Sequence, residues 1–267
     1  MTTARPRHRR ASGGLLLLLA GVVSACGSSS AAPSTTSTPS APASTVASAA
    51  LARVRASVET TIAAGTAQFR SVSTTGAASG AHPTVVTMAG TISFDGPDVS
   101  STNTISIPTG SSSVTPSSEQ VHSLYFGTTG TVYLSTSGPD GPWQKAAAGT
   151  PFDYLAPFAP AALRDAAGPV TVLGPAVING VATTGYAVPV AAQVQRTSES
   201  GAPTTLHSAA YVGRVWLDAE GRIVRTSGTI RGTVEPAGST LTETETTTLS
   251  AFGIPVSITA PATASPA

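Results

Sequence analysis

The chain has little charge, few aromatic residues and a single cysteine. Charged residues make up 10% of its 267 residues and aromatic residues 5%. There is one lysine, Lys145, against thirteen arginines. A single cysteine excludes an intramolecular disulfide, so Cys26 requires another explanation. The sparse basic residues form no cluster of the kind that binds nucleic acid, and we expect no nucleic-acid partner.

Residue patterns typical of catalytic and metal sites are also lacking. Neither an H-E-x-x-H spacing nor a G-x-S-x-G, P-loop or G-x-G-x-x-G motif occurs. The histidines beyond the N-terminus are isolated from one another: His82, His122 and His207. The closest carboxylate pairs lie in turns beside glycine, where aspartate usually bonds to the backbone; they are Asp95 with Asp98, and Asp218 with Glu220. We therefore expect no enzymatic activity, no catalytic residues, no metal site and no cofactor.

The N-terminus has the organisation of a cleaved export signal. Four arginines lie within the first ten residues, and the apolar run Leu15–Val23 follows. About nine apolar residues are too few to span a bilayer as a helix, which takes roughly 20. Without residues 1–25 the chain has ten basic side chains against thirteen acidic ones. The paired Arg9 and Arg10 leave both general secretory and twin-arginine export open.

The tetrad Val23-Ser24-Ala25-Cys26 resembles the bacterial lipobox. The resemblance implies cleavage before Cys26, a diacylglycerol carrying fatty acids such as palmitate on its sulfur, and an anchor on the outer face of the cell membrane. Two acyl chains make such an anchor stable. The alternative is an ordinary secretory signal in which the cysteine stands by chance.

Composition divides the rest of the chain. Residues 26–49, which begin with the lipidated Cys26, are almost only Ser, Thr, Ala and Pro, a composition typical of a disordered linker. Residues 50–260 alternate between sequence segments typical of strands and segments typical of turns, and they are expected to form one domain. Residues 261–267 are expected to be a disordered tail.

The domain shows two helical patterns among many strands. Apolar residues recur at helical spacing at Leu51, Val54, Val58 and Ile62. A second pattern covers 151–166 and is interrupted by Pro157 and Pro160. Strands are predicted at Val132–Leu134, Val215–Leu217, Ile223–Thr229 and Leu241–Leu249. The turn-rich Phe94–Asp98 separates two further strands. Strands without βαβ alternation predict an α+β domain with an antiparallel sheet and a few helices.

The domain resembles the actinobacterial LppX/LprG-type lipoproteins of the LolA-like superfamily. The short stretches that carry the resemblance are Thr66–Arg70, Gly90–Asp95, Val132–Leu134, Gly141–Lys145, Val177–Tyr186, Val215–Val224 and Leu249–Val256. The resemblance implies a strongly curved antiparallel sheet, a half-barrel, closed by a few helices and preceded by the disordered tether. It also implies an apolar cavity for acyl chains between the sheet and the helices.

The function implied is to bind lipids or lipoglycans and to carry them within the cell envelope. The resemblance implies two partners, the lipid ligand and the membrane. It is also compatible with a third partner, an envelope transporter. The candidate lipid-binding residues are Phe69, Phe94, Leu155, Phe158 and Trp216. Each of them is equally compatible with ordinary core packing, which leaves open a non-enzymatic envelope scaffold or partner-binding lipoprotein with a filled core. The long polar segment 192–210 departs from the family pattern and is expected to be a loop or an extended hairpin.

Overall fold

A computed structural model describes residues 43–77, 83–95, 98–107, 117–146, 163–191, 194–197, 204–235 and 238–266. The export signal, Cys26 and most of the predicted linker lie outside these ranges. The same holds for Leu155 and Phe158, and for the second helical pattern up to residue 162. The predicted division of the chain into signal, linker, domain and tail therefore remains a prediction.

The first helical pattern forms helix α1, Ala43–Ile62. It begins eight residues before Leu51, so residues 43–49 of the predicted linker are helical. Alanine, the best helix former, is frequent there. The helix ends where Gly65 adopts a positive φ of 76° and donates its N–H to the carbonyl of Ile62.

Strands make up most of the described structure. In chain order they are β1 Thr66–Ala77, β2 Thr84–Ser93, β3 Asp98–Ile107, β4 Ser117–Phe126, β5 Thr131–Ser135, β6 Trp143–Lys145, β7 Thr171–Ile178, β8 Val181–Val190, β9 Val194–Thr197, β10 Thr204–Ser208, β11 Tyr211–Leu217, β12 Ile223–Glu235, β13 Ser239–Ser250 and β14 Ala264–Pro266. All four strands predicted by position are confirmed, as is the turn between β2 and β3.

The strands form one large, open, curled sheet. Its order is β14-β6-β5-β4-β3-β2-β1-β13-β12-β11-β8-β7, and β10 joins the side of β12 with β9 beside it. Every ladder is antiparallel except the short parallel pairing of β14 with β6. The antiparallel sheet is thus confirmed, and its open, curled form is consistent with a half-barrel. Helix α1 is the one complete helix of the described residues, and residues 163–164 are also helical. Closure by several helices remains a prediction.

Two segments outside the strands predicted by position also contribute strands. Within 192–210, β9 and β10 pair antiparallel, as expected for an extended hairpin. Within the predicted disordered tail, residues 264–266 form β14. Among the described residues, no helix combines the length and apolar character required to cross a membrane.

At Gly90 the backbone of β3 lies close to β2. A Cβ atom there would lie 1.9 Å from the carbonyl oxygen of Ser100 and 2.7 Å from the Cα of Ser101. No residue other than glycine fits such a contact without moving the backbone. A glycine inside a strand often marks a tight bend, and this one permits the sheet to curl.

Candidate functional site

The two faces of the sheet carry different chemistry. We call the face that carries Phe69 the inner face and the opposite one the outer face. The register places Phe69 directly across from Gly90 on β2 and Leu249 on β13, so these three share the inner face. The next residues along, including Arg70 and Thr248, lie on the outer face because side chains alternate along a strand.

The inner face is apolar where α1 covers it. Val54 and Val58 of the helix are fully buried there with Phe69, Phe94 and Leu249. The cluster extends across the sheet and includes Ile92, Val99, Val132, Tyr186, Val188, Val215, Leu217 and Ile223. Two of the predicted lipid-binding residues, Phe69 and Phe94, are therefore brought together in one buried apolar surface.

Side-chain hydrogen bonds fix α1 over this surface. The Thr61 hydroxyl accepts a 2.9 Å hydrogen bond from the backbone N–H of Ile223 and donates to the carbonyl of Ser57. The Arg55 guanidinium donates two hydrogen bonds, of 2.9 and 2.7 Å, to the carbonyl of Ala166. The helix is thus attached to β12 and to the segment before β7, and both attachments are at one side of the curled sheet.

Trp216 does not join the other candidate lipid-binding residues. Its neighbours Val215 and Leu217 take the buried inner face, so Trp216 points to the outer face. There its indole lies against Gly185, where an added Cβ would be 2.9 Å from Nε1, and the Arg225 guanidinium lies 5.9 Å from the ring centre. Cys26, Leu155 and Phe158 remain untested because they lie outside the described residues.

Two glutamates interrupt the apolar inner face. The Oγ of Ser73 donates a 2.6 Å hydrogen bond to Glu243, and the Oγ of Ser71 donates a 3.0 Å bond to Glu245. Thr247 donates to Ser71 in turn, at 2.9 Å. Glu243 is only 6% exposed, and its Oε2 has no hydrogen-bond partner. The result is an acidic, hydroxyl-rich patch beside the apolar cluster.

Burial shifts the ionisation of this patch. It raises the pKa of Glu245 to about 7, and the negative charge of Glu243 adds to the rise. Burial likewise raises the pKa of Glu243, against the opposing hydrogen bond from Ser73. Burial and the two glutamates raise the pKa of Tyr211 to about 12. The patch can therefore hold a carboxyl proton near neutral pH and offer it to a ligand.

The glutamates could have been found from the sequence. Leu241, Glu243, Glu245, Thr247 and Leu249 occupy alternate positions of one strand, so the two leucines that flank the pair place it on the core face. The signal was present in the predicted strand Leu241–Leu249, where threonine alternates with glutamate.

The turn carboxylates have structural roles. Asp98 accepts a 2.9 Å hydrogen bond from the backbone N–H of Gly127. Asp218 accepts from both the backbone N–H and the Nε of Arg222, each at 2.8 Å, and Glu220 also pairs with Arg222. Within the described ranges, no group of three His, Cys, Asp or Glu side chains could hold a metal ion.

The outer face carries a groove of about 770 Å³. It runs across β3, β2, β1, β13 and β12, and the turn between β7 and β8 borders it with Asn179. Two arginines, Arg70 and Arg225, are among its lining residues. This groove was not predicted from the sequence, although the alternation of Phe69 with Arg70 places the arginine on the face opposite the core.

No protein-family model matches the chain, and no curated protein matches its sequence. Its structure is similar to that of LprF from Mycobacterium bovis, at 13% identity and a TM-score of 0.44, over 81% of this chain and 98% of LprF. It is similar to LppX from Mycobacterium tuberculosis, at 13% identity and a TM-score of 0.42, over 79% of this chain and 99% of LppX. A DUF1329 family protein from Desulfovibrio piger matches at 7% identity and a TM-score of 0.31, over 79% of this chain and 95% of that protein. LppX is a lipoprotein.

Proposed function

We propose that this protein is a membrane-anchored, extracytoplasmic lipoprotein that binds acyl chains of lipids or lipoglycans on the inner face of its sheet and carries them in the cell envelope. The anchor is the lipidated Cys26, which keeps the domain at the outer face of the cell membrane. The role is one of binding, without catalysis. An envelope transporter that supplies or receives the lipid fits as a further partner.

The breadth of the apolar inner face is the observation that carries this proposal. Its buried residues extend over nine strands, from Val132 on β5 to Val188 on β8. At about 4.8 Å between strands, such a surface is roughly 40 Å across, whereas a helix with its side chains is about 10 Å wide. Helix α1 packs mainly against β7 and β12. Helix α1 is too narrow to cover the whole surface, and among the described residues Leu163, Ala166 and Val170, before β7, belong to the same buried cluster. Acyl chains are a suitable partner for an apolar surface of this breadth.

The affinity would come mainly from the acyl chain itself. Each CH₂ group that leaves water gains about 0.8 kcal/mol, so a long chain can be held without a specific polar contact. The patch of Glu243 and Glu245 supplies a place for one polar group of the ligand on an otherwise apolar surface. Specificity would therefore depend on chain length first and on the polar group second.

A second function is favoured by the packing of Phe69 and Phe94. Both are already buried against the cluster that contains Val54 and Val58 of α1. A core filled in this way needs no lipid and suits an anchored scaffold that binds a protein partner. The two functions differ in whether the inner face takes up an acyl chain.

Native mass spectrometry distinguishes the two functions. The chain from residue 27 onward would be produced in a high-GC bacterial host, purified and sprayed under non-denaturing conditions, and its organic extract analysed. We expect a bound acylated molecule at a ratio of about one per chain that is lost on denaturation. An unliganded mass, together with no uptake of added phospholipid or acylglycerol, would leave only the scaffold function.

A further inference from the structure

The groove on the outer face is arranged around one residue, Thr248. The register places Thr248 directly across from Arg70 on β1 and, on its other side, directly across from Arg225 on β12. The two arginines are thus two strand spacings apart, roughly 10 Å between their Cα atoms. Since an extended arginine side chain is several ångströms long, both guanidinium groups can reach one group bound above Thr248.

The charge of the groove is of one sign. Its lining residues include Arg70 and Arg225 and no aspartate or glutamate. Neither arginine forms a salt bridge with any carboxylate of the described residues. Two guanidinium groups without a carboxylate partner in one groove favour the binding of an anion.

Arg225 is held in place and yet has an unused donor. Its guanidinium lies 5.9 Å from the centre of the Trp216 ring, close enough for a cation–π contact. Its Nε is buried and has no hydrogen-bond partner in the described structure. A buried charged donor without a partner costs free energy, and an anion that accepts its hydrogen bond would remove that cost.

The remaining walls of the groove are rich in neutral hydrogen-bonding groups. They are the side chains of Gln68, Thr91, Thr102, Asn179, Thr246, Thr248 and Ser250. Hydroxyl and amide groups donate and accept hydrogen bonds in turn, which suits sugar or glycerol hydroxyls. The volume of the groove is larger than a bare phosphate requires and fits a phosphate with a polyol attached.

We propose that this groove binds a phosphate group carried on a polyol, with the phosphate between Arg70 and Arg225 and the polyol hydroxyls against the threonine and amide side chains. Guanidinium groups bind phosphate oxygens in pairs, which makes arginine the residue suited to this contact. The phosphate could belong to a lipid headgroup or to a soluble phosphate ester. The site is on the face opposite the acyl-binding surface proposed above and does not depend on it.

Trp216 provides a direct reporter for the site. The chain contains two tryptophans, Trp143 and Trp216, so Trp143→Phe leaves the one beside Arg225. The full-length W143F protein, purified from membranes in a non-ionic detergent, would be titrated with glycerol 3-phosphate and, separately, with glycerol. We expect a saturable change in fluorescence with glycerol 3-phosphate and a response at least about tenfold weaker with glycerol, which lacks the charge.

Matched variants assign the response to the two arginines. Arg70→Gln and Arg225→Gln should each weaken binding by about tenfold or more, the usual effect of losing a charged hydrogen bond. Arg231→Gln, which removes an exposed arginine on the same face of β12 but outside the groove, should leave the affinity unchanged. If Arg225→Gln does not fold, Thr248→Val tests the centre of the site instead. This variant should weaken binding by less than the arginine variants do.

The source of the phosphate is tested with dihexanoyl phosphatidylglycerol, a short-chain lipid used below the concentration at which it forms micelles. Binding of this lipid alone would assign the groove to a lipid headgroup, and binding of glycerol 3-phosphate alone would assign it to a soluble ester. Either result supports the site. The proposal is overturned if neither compound binds at millimolar concentration, or if both bind equally well to the Arg70→Gln and Arg225→Gln proteins.

Discussion

The inner and outer faces of the sheet are most different where β1, β13 and β12 lie side by side. On the inner face these strands carry Phe69, Leu249, the buried Glu243 and the half-buried Glu245. One residue further along each strand, the outer face carries Arg70, Thr248 and Arg225. Acidic groups are thus embedded in the apolar surface, and basic groups line the polar one. The comparison shows that a single set of strands can present two unrelated binding chemistries, because alternate residues belong to opposite faces.

Both faces belong to one curled sheet, and Gly90→Ala should disrupt that sheet most. The added Cβ would lie 1.9 Å from the carbonyl oxygen of Ser100, so the backbone of β3 would have to move. We expect a loss of more than about 4 kcal/mol in the free energy of unfolding, measured by urea denaturation. Gly76→Ala is the control because its Cβ would meet nothing closer than 4.0 Å. Equal stabilities of the two variants would show that Gly90 is not needed for the curl.

Adjacent residues of β1 should differ sharply in their contribution to stability. Phe69→Ala removes a buried ring from the inner face and should cost about 3 kcal/mol or more. Arg70→Ala changes an exposed side chain and should cost no more than about 0.5 kcal/mol. Urea denaturation of both proteins checks this, and similar losses would contradict the assignment of the two residues to opposite faces.

The buried glutamates should make stability depend on pH. Folding raises the pKa of Glu245 from its ordinary value of 4.5 to about 7, so the folded chain binds a proton more tightly than the unfolded chain. The resulting stabilisation is fully present below pH 4.5 and is lost as the pH rises to about 7. We expect the free energy of unfolding to fall by about 3 kcal/mol across this window.

Glutamine variants separate this effect from other titrations. Glu245→Gln should flatten the decrease between pH 4.5 and 7, since glutamine takes no proton. Glu59→Gln removes an exposed glutamate of α1 and should leave it unchanged. If the free energy of unfolding depends on pH in the same way in both variants, Glu245 is not the group responsible for the decrease.

Single cysteines on the two faces should report lipid uptake differently. Val86 and Val85 are neighbours on β2; Val86 lies across from Ser73 on the inner face, and Val85 across from Thr74 on the outer face. In a Cys26→Ala background no other thiol is present. A polarity-sensitive dye on Val86→Cys should shift its emission when palmitate is added, while the same dye on Val85→Cys should not. A shift of equal size at both positions would indicate unspecific association.

Much of the fold followed from local patterns. The spacing of Leu51, Val54, Val58 and Ile62 predicted α1, and apolar alternation with turn residues predicted the strands. The start of α1 was missed because Ser and Ala at 43–49 look like linker by composition, although alanine also favours helix. The pairing of residues 264–266 with β6 depends on contacts between distant parts of the chain, which no local pattern contains.

The candidate sites were harder to predict than the strands. An apolar residue on a strand can face either side, and only its partners decide which. Trp216 was grouped with Phe69 because both are large and apolar, yet Val215 and Leu217 on either side of it occupy the core face. The outer groove joins residues of β3, β2, β1, β13 and β12 with the β7–β8 turn, and such a combination depends on the sheet order.

Photochemical cross-linking tests the central proposal, acyl-chain binding on the inner face, most directly. A palmitate analogue with a diazirine at its methyl end would be bound to the protein and irradiated, and the modified residues identified by peptide mass spectrometry. We predict modification of inner-face positions of β1, β2 and β13, such as Phe69, Met88 and Leu249, that excess unlabelled palmitate suppresses. Modification confined to outer-face residues, or none that palmitate competes away, would contradict it.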